Sequence, residues 1–131
     1  VLETLGVPVI TFGQTNLPAF WSSDSPFISP LSLDNPSLIA KSHKLRKELG
    51  LSGGQLIANP ILKKDQIPFE TIEPIIMEAV KSANAQNIVA KEVTPFILSQ
   101  INKLTRGKSL LANISLIKNN AKLASKIALC F

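Results

Sequence analysis

Two asparagines set seven residues apart near the end of the chain, Asn113 and Asn120, are the side chains whose type and spacing best suit chemistry. They lie in residues 107–131, where Leu110, Ile114, Ile117, Ala121, Ala124, Ala128 and Phe131 recur at three- and four-residue steps. That period is helical and marks an apolar stripe. At about 100° per residue, Asn113 and Asn120 fall nearly in register among Leu110, Leu116, Ile117, Ala124 and Ile127. Lys118, Lys122 and Lys126 fall on the opposite, polar face, so none of them is read as a nucleophile. A carboxamide on a buried stripe costs free energy unless its donors and acceptor find partners. Two stacked along one stripe suit a bound polar ligand, which an amide can contact as donor and acceptor without titrating. The competing reading is that both amides merely satisfy neighbouring loops, as most buried asparagines do.

Other chemistry-bearing residues are less organised. Gly107-Lys108-Ser109 looks like the end of a phosphate-loop motif, but residues 100–106 lack its first glycine and carry helical periodicity, which excludes a nucleoside-triphosphate site of that type. An oxyanion at the N-terminus of the helix, with Ser109 as its cap, stays compatible with the pattern. Gly53-Gly54 is followed by no Lys-Ser/Thr pair at the required spacing, and no dinucleotide fingerprint exists. His43 stands among Lys41, Lys44 and Arg46 without a second ligand, which argues against a metal there. Cys130 is the one cysteine, so a disulfide framework is excluded and a reducing compartment is the default; it reads as a small apolar residue.

The elements that must position these residues follow from pattern. Residues 1–5 read as the last turn of a helix stopped by Gly6. Residues 7–12 are β-branched and apolar, predicting a buried strand whose paired part begins after Pro8. In the long loop over residues 13–25, Phe20 and Trp21 either line a site or cover the core, and residues 27–31 make a short strand at best. Asp34 and Asn35 before Pro36 predict a capped helix to about Leu49, with Ile39, Leu45 and Leu49 inward. Residues 55–58 predict a short buried strand after a glycine-rich break. A helix over 72–86 takes Thr71 as cap, keeps Pro74 in its first turn and turns Ile72, Ile76, Ala79, Val80 and Ala83 inward. Thr94-Pro95 opens another helix to Thr105, with Ile97, Ile101 and Leu104 inward. Strands followed by three closing helices make the class α/β.

The 131 residues, 45% hydrophobic and 18% charged, suit a globular chain with a sizeable core and not disorder. No apolar run reaches the ~18 residues of a membrane span. The net charge of +5 raises a nucleic-acid hypothesis, but the basic residues are dispersed and no aromatics are interleaved with them. A solvated surface with no nucleic-acid partner is the expectation. The chain opens on Val1 and closes on Phe131 with the stripe still running, which reads as the C-terminal portion of a longer protein.

The run Gly107-Lys108-Ser109-Leu110, Ala112-Asn113-Ile114, Leu116 and Lys118-Asn119-Asn120-Ala121 resembles the C-terminal signature of the pseudouridine-5'-phosphate glycosidases, also called the indigoidine synthase A-like family. Three further stretches carry the same resemblance: Leu2-Glu3-Thr4-Leu5-Gly6-Val7-Pro8-Val9, Ala58-Asn59-Pro60-Ile61, and Lys91-Glu92-Val93-Thr94-Pro95-Phe96. The chain departs from the family at Pro26, where a glycine is common, and at Leu62, Lys63 and Lys64, where a proline and acidic residues usually stand.

The resemblance implies a three-layer α/β/α fold with a mixed sheet, of which residues 1–131 are the C-terminal part of a single domain. It implies reversible cleavage of the C–C glycosidic bond of pseudouridine 5'-phosphate to uracil and ribose 5-phosphate. It also implies a Schiff-base lysine, a proton-transferring glutamate and a manganese ion, all held upstream of Val1, in a cytoplasmic homotrimer. Within this chain it singles out Asn113 as the active-site amide, with Asn120 a weaker substrate-binding candidate and Asn119 weaker still. The alternative is a non-catalytic remnant, or an oligomerisation or interaction module of a larger protein.

Overall fold

The computed structural model describes residues Val1–Phe131. Three strands, β1 (Val9–Phe12), β2 (Leu31–Leu33) and β3 (Leu56–Ala58), form a parallel sheet in the order β2-β1-β3. Antiparallel pairing is confined to the isolated bridge between Asn16 and Ile28. On the central strand, neighbouring Ile10 and Thr11 are both buried. Successive side chains point to opposite faces, so β1 is covered on both sides, as its β-branched and apolar residues predict. Pro8 stands just outside the strand, where its missing N–H costs nothing while its carbonyl accepts from the Leu56 N–H at 2.9 Å.

Before β1, a 3-10 turn over Glu3–Leu5 ends at Gly6, whose φ of 74° only a glycine adopts cheaply. Between β1 and β2 the loop is held by its own polar groups. Ser25 donates to the Leu17 carbonyl at 2.6 Å, and the Asn16 amide to the Ser25 carbonyl at 3.0 Å. The second strand therefore falls at Leu31–Leu33, later than residues 27–31 suggested.

Four helices follow, α1 (Pro36–Glu48), α2 (Phe69–Ala85), α3 (Val93–Leu104) and α4 (Lys108–Ala128), the last three closing the chain. Asn35 caps α1 as expected, accepting from the Ser37 N–H at 2.9 Å. Its buried residues are Ile39 and Ala40, whereas Leu45 and Leu49 are exposed. Near its end, Lys44 donates to the Cys130 and Phe131 carbonyls, and His43 meets the Phe131 ring edge-on. The imidazole thus has a packing role.

Helix α2 starts at Phe69 and has no side-chain cap, so Thr71 is already helical and Pro74 lies inside the helix. The cost is one missing bond, the one that would have reached the Glu70 carbonyl. Its predicted stripe is right: Ile72, Ala79 and Ala83 are buried. In α3, Ile101 is 0% exposed, while Leu104 faces outward. The main core gathers Trp21, Ile61, Ile67, Ile72, Ala79, Ile101, Ala112 and Leu116, with Ile75, Ile76 and Ile97 against it. Trp21 is a core residue: its indole N–H donates to the Ser109 carbonyl at 3.2 Å, fastening the β1–β2 loop to α4.

Candidate functional site

The carboxyl ends of β1 and β3 open onto a cleft of about 800 Å³ whose far wall is α4. Ligands of open α/β sheets favour this end of the strands. Phe12, Gly13 and Gln14 continue β1 along one side, and Asn59, Pro60 and Ile61 continue β3 along the other. The walls are braced by amides. Asn59 donates to Asn120 Oδ1 at 3.1 Å, and Asn119 donates to the Pro60 carbonyl at 3.0 Å. Gln14 donates to the carbonyls of Asn16 and Ser23 at 2.8 and 2.7 Å, and Ser23 in turn donates through its N–H and Oγ to Gln66 Oε1. Ser115 donates to Asp65 Oδ2 at 2.6 Å.

The three asparagines of α4 have different surroundings. Asn119 lines the cleft; Asn120 is exposed and engaged by Asn59; Asn113 lines no part of it. Asn113 is half-buried and makes no side-chain hydrogen bond within the chain, its neighbour Asn119 and its heptad partner Asn120 being the α4 amides that do. The structure therefore does not bring Asn113 and Asn120 together in one pocket of this chain.

The predicted stripe of α4 needs correction. Ser109, Ala112, Leu116 and Leu123 are the buried face. Leu110, Ile114, Ile117, Ala121, Ala124 and Ala128 are exposed, Leu110 by 51% and Ile117 by 58%. At about 100° per residue, the two apolar faces are distinct, and Asn113 and Asn120 sit on the shoulder between them.

The N-terminus of α4 also differs from expectation. Gly107 is the cap residue, with a φ of 83°, and Ser109 is already helical. Thr105 supplies the capping oxygen: its Oγ1 accepts from the Ser109 N–H at 3.1 Å and donates to the Ile101 carbonyl at 2.8 Å. With the Lys108 N–H also bonded to the Thr105 carbonyl, the first turn has little left to offer an oxyanion. Sequence reasoning passed over Thr105 because it ends one helix and caps the next from outside the usual position.

No group of three or more His, Cys, Asp or Glu side chains could hold a metal ion, so the residues present do not fit a manganese site. No helix is long and apolar enough to cross a membrane. What the pattern of the sequence did not reveal is a concentration of charge. Lys63, Lys64, Lys118, Lys122 and Lys126, dispersed in the chain, all line the cleft.

A family profile described as indigoidine synthase A-like protein matches residues 1–130. The pseudouridine-5'-phosphate glycosidase of Paracoccus denitrificans is 57% identical over 128 residues, which are 98% of this chain and 42% of that protein. The enzyme of the same name from Roseobacter denitrificans is 55% identical over 98% of this chain and 41% of its own length. The chain thus spans about 42% of the length of the curated relatives it matches. Among solved structures, an indigoidine synthase A-like protein from Thermotoga maritima superposes with a TM-score of 0.84 at 31% identity, over 97% of this chain and 41% of that one. A prealnumycin C-glycosynthase crystallised with ribulose 5-phosphate gives 0.87 at 24% identity, over 98% and 42%, a likeness of fold alone.

Proposed function

This chain belongs to the indigoidine synthase A-like family, and from that premise we propose that it is the C-terminal portion of an enzyme that reversibly splits pseudouridine 5'-phosphate into uracil and ribose 5-phosphate. The observation that carries the proposal is the 57% identity, spread over 98% of the chain, to a protein named for that activity.

The chemistry asks for more than an ordinary glycosidase supplies. The bond to be broken joins carbon to carbon, so there is no leaving oxygen to protonate, and an electron sink such as a lysine-derived iminium is required. Lys118, Lys122 and Lys126 are exposed on α4 and none is taken as that lysine. The nucleophile and a proton-transferring glutamate are assigned to residues before Val1. Manganese is assigned there too.

Asn113 is the group this portion contributes. Its amide has no partner inside the chain, is half-buried, and stands beside an apolar face of α4 that is itself uncovered. An uncommitted carboxamide in such a place can donate to a sugar hydroxyl or a developing oxyanion and accept from another hydroxyl without changing charge. Asn120, exposed and already accepting from Asn59, is assigned a lesser role at the substrate. The exposed face of α4 suits contact with the remainder of the domain or with subunits of a homotrimer, and a cytoplasmic location is the matching proposal.

The same exposed face favours a second reading, in which the chain is a non-catalytic association module. One experiment separates them. The full-length parent protein, purified and shown to be folded, is incubated with pseudouridine 5'-phosphate and uracil release is followed chromatographically. Release that requires the folded protein supports the enzyme; a folded parent releasing none refutes it.

A further inference from the structure

The charge of this molecule is concentrated in one place. Five lysines and one aspartate line the cleft between the strand ends and α4, leaving four positive charges of the chain's net +5 around a single opening. The one carboxylate, Asp65, is engaged by Ser115 at 2.6 Å. The five ammonium groups make no hydrogen bond within the chain, in contrast to Lys44, whose ammonium is held by two carbonyls at the chain end.

Like charges crowded around a concave, low-dielectric surface repel one another, and the field they focus favours an anion. Lys118, Lys122 and Lys126 rise along one side of α4, spaced four residues apart, a row about 12 Å long at 1.5 Å per residue. Lys63 and Lys64 face the same opening from the loop after β3. A row of that length exceeds one phosphate and suits several in series. Between the lysines, Phe12, Ile61 and Leu123 give the cleft an apolar wall, and its volume of about 800 Å³ lies within the range that holds small organic ligands. The amide braces from Asn59 and Asn119 fix the β3 side of the opening to α4, so the site needs little ordering before it binds.

We propose that this basic cleft binds an oligophosphate anion, carried by a nucleoside di- or triphosphate or free as pyrophosphate. The lysine rows neutralise successive phosphates, and the apolar wall receives the base where one is present. Surface lysines scattered on a solvated chain would instead give only weak attraction that salt removes.

The test is isothermal titration of the full-length parent protein with ADP and, separately, with pyrophosphate and orthophosphate. It is run near 0.15 M salt, roughly the physiological ionic strength, with saturating ribose 5-phosphate present so that the substrate site is filled. Binding of ADP or pyrophosphate that falls at least about tenfold in the Lys118→Glu/Lys122→Glu double variant supports the proposal. Tighter binding of ADP identifies a nucleotide as the source, and equal binding identifies the bare oligophosphate. A Lys81→Glu/Lys91→Glu control makes the same change in net charge outside the cleft and should leave affinity within about twofold. The proposal is overturned by no binding, by equal loss in the control, or by orthophosphate binding as tightly as pyrophosphate. It is also overturned if a single-stranded oligoribonucleotide binds tighter than ADP and loses that affinity in the cleft variant. Because both replaced lysines are exposed, an unchanged thermal midpoint keeps every outcome interpretable.

Discussion

Replacing Asn113 by alanine separates a catalytic amide from a structural one, because the two roles predict different balances of lost turnover and lost stability. The side chain is half-buried and has no hydrogen-bond partner in the chain, so truncation orphans no buried donor or acceptor. Orphaning one would cost about 1–3 kcal/mol; without that loss, the change is of the size of an ordinary half-exposed substitution, about 0.5 kcal/mol. At about 2–4 °C per kcal/mol for domains of 150–250 residues, the thermal midpoint should move by no more than about 2 °C. The kinetic side is of a different size. Losing one preorganised polar contact to the transition state costs about 2.7–4 kcal/mol, a turnover lower by about 10²–10³. Asn113→Ala in the full-length protein should therefore be folded and slow. Uracil release and calorimetric melting are measured on the same preparation, beside Asn120→Ala and Asn119→Ala. Asn120→Ala should give a smaller loss of turnover and Asn119→Ala almost none. If Asn113→Ala keeps its turnover and melts several degrees lower, the amide is structural and the catalytic assignment is wrong.

Three more outcomes follow from contacts in the fold. Thr105→Val keeps the shape but removes the acceptor for the buried Ser109 N–H, and should lower stability by about 1–3 kcal/mol in chemical denaturation; no change would mean that α4 is capped by other means. Trp21→Phe removes the indole donor to the Ser109 carbonyl and part of the core volume, costing about 1–3 kcal/mol, with loss of the near-ultraviolet tryptophan signal as a control for the replacement. Residues 1–131 alone should release no uracil and should self-associate on a sizing column with light scattering, since β2 and β3 are both open edges and Leu110, Ile117 and Leu129 are exposed. A monodisperse monomer with one sharp melting transition would contradict that.

What could be read from the sequence was whatever local stereochemistry decides. Gly6 must stop a helix because its φ is positive, and Asn35 before Pro36 must start one because the side chain can accept from Ser37. The inward sides of α2 and, at Ile101, of α3 were equally legible, because each of these helices has its apolar residues grouped on one side. Pairing partners were not legible in this way. That Thr105 of one helix end caps the next, or that lysines some fifty residues apart share a cleft, depends on tertiary placement that no period encodes.

Helix α4 shows the limit in its clearest form. Its sequence carries two apolar faces, Ala112, Leu116 and Leu123 on one and Leu110, Ile117, Ala121 and Ala124 on the other. Periodicity weighs them by hydrophobicity and so selects the second, which has the larger apolar residues at regular steps. The fold buries the first, whose small Ala112 lets α4 approach the Trp21 and Ile101 core closely. A hydrophobic stripe states that a face is to be buried without naming what buries it. With both faces present, the residues on the shoulder between them are the ones that meet two packed bodies at once. Asn113 is on that shoulder, and a polar group there is either matched by something bound between the bodies or left unmatched at a cost of about 1–3 kcal/mol. In the Asn113→Ala comparison, turnover lost at an unchanged melting point marks the first state, and turnover kept with a raised melting point marks the second.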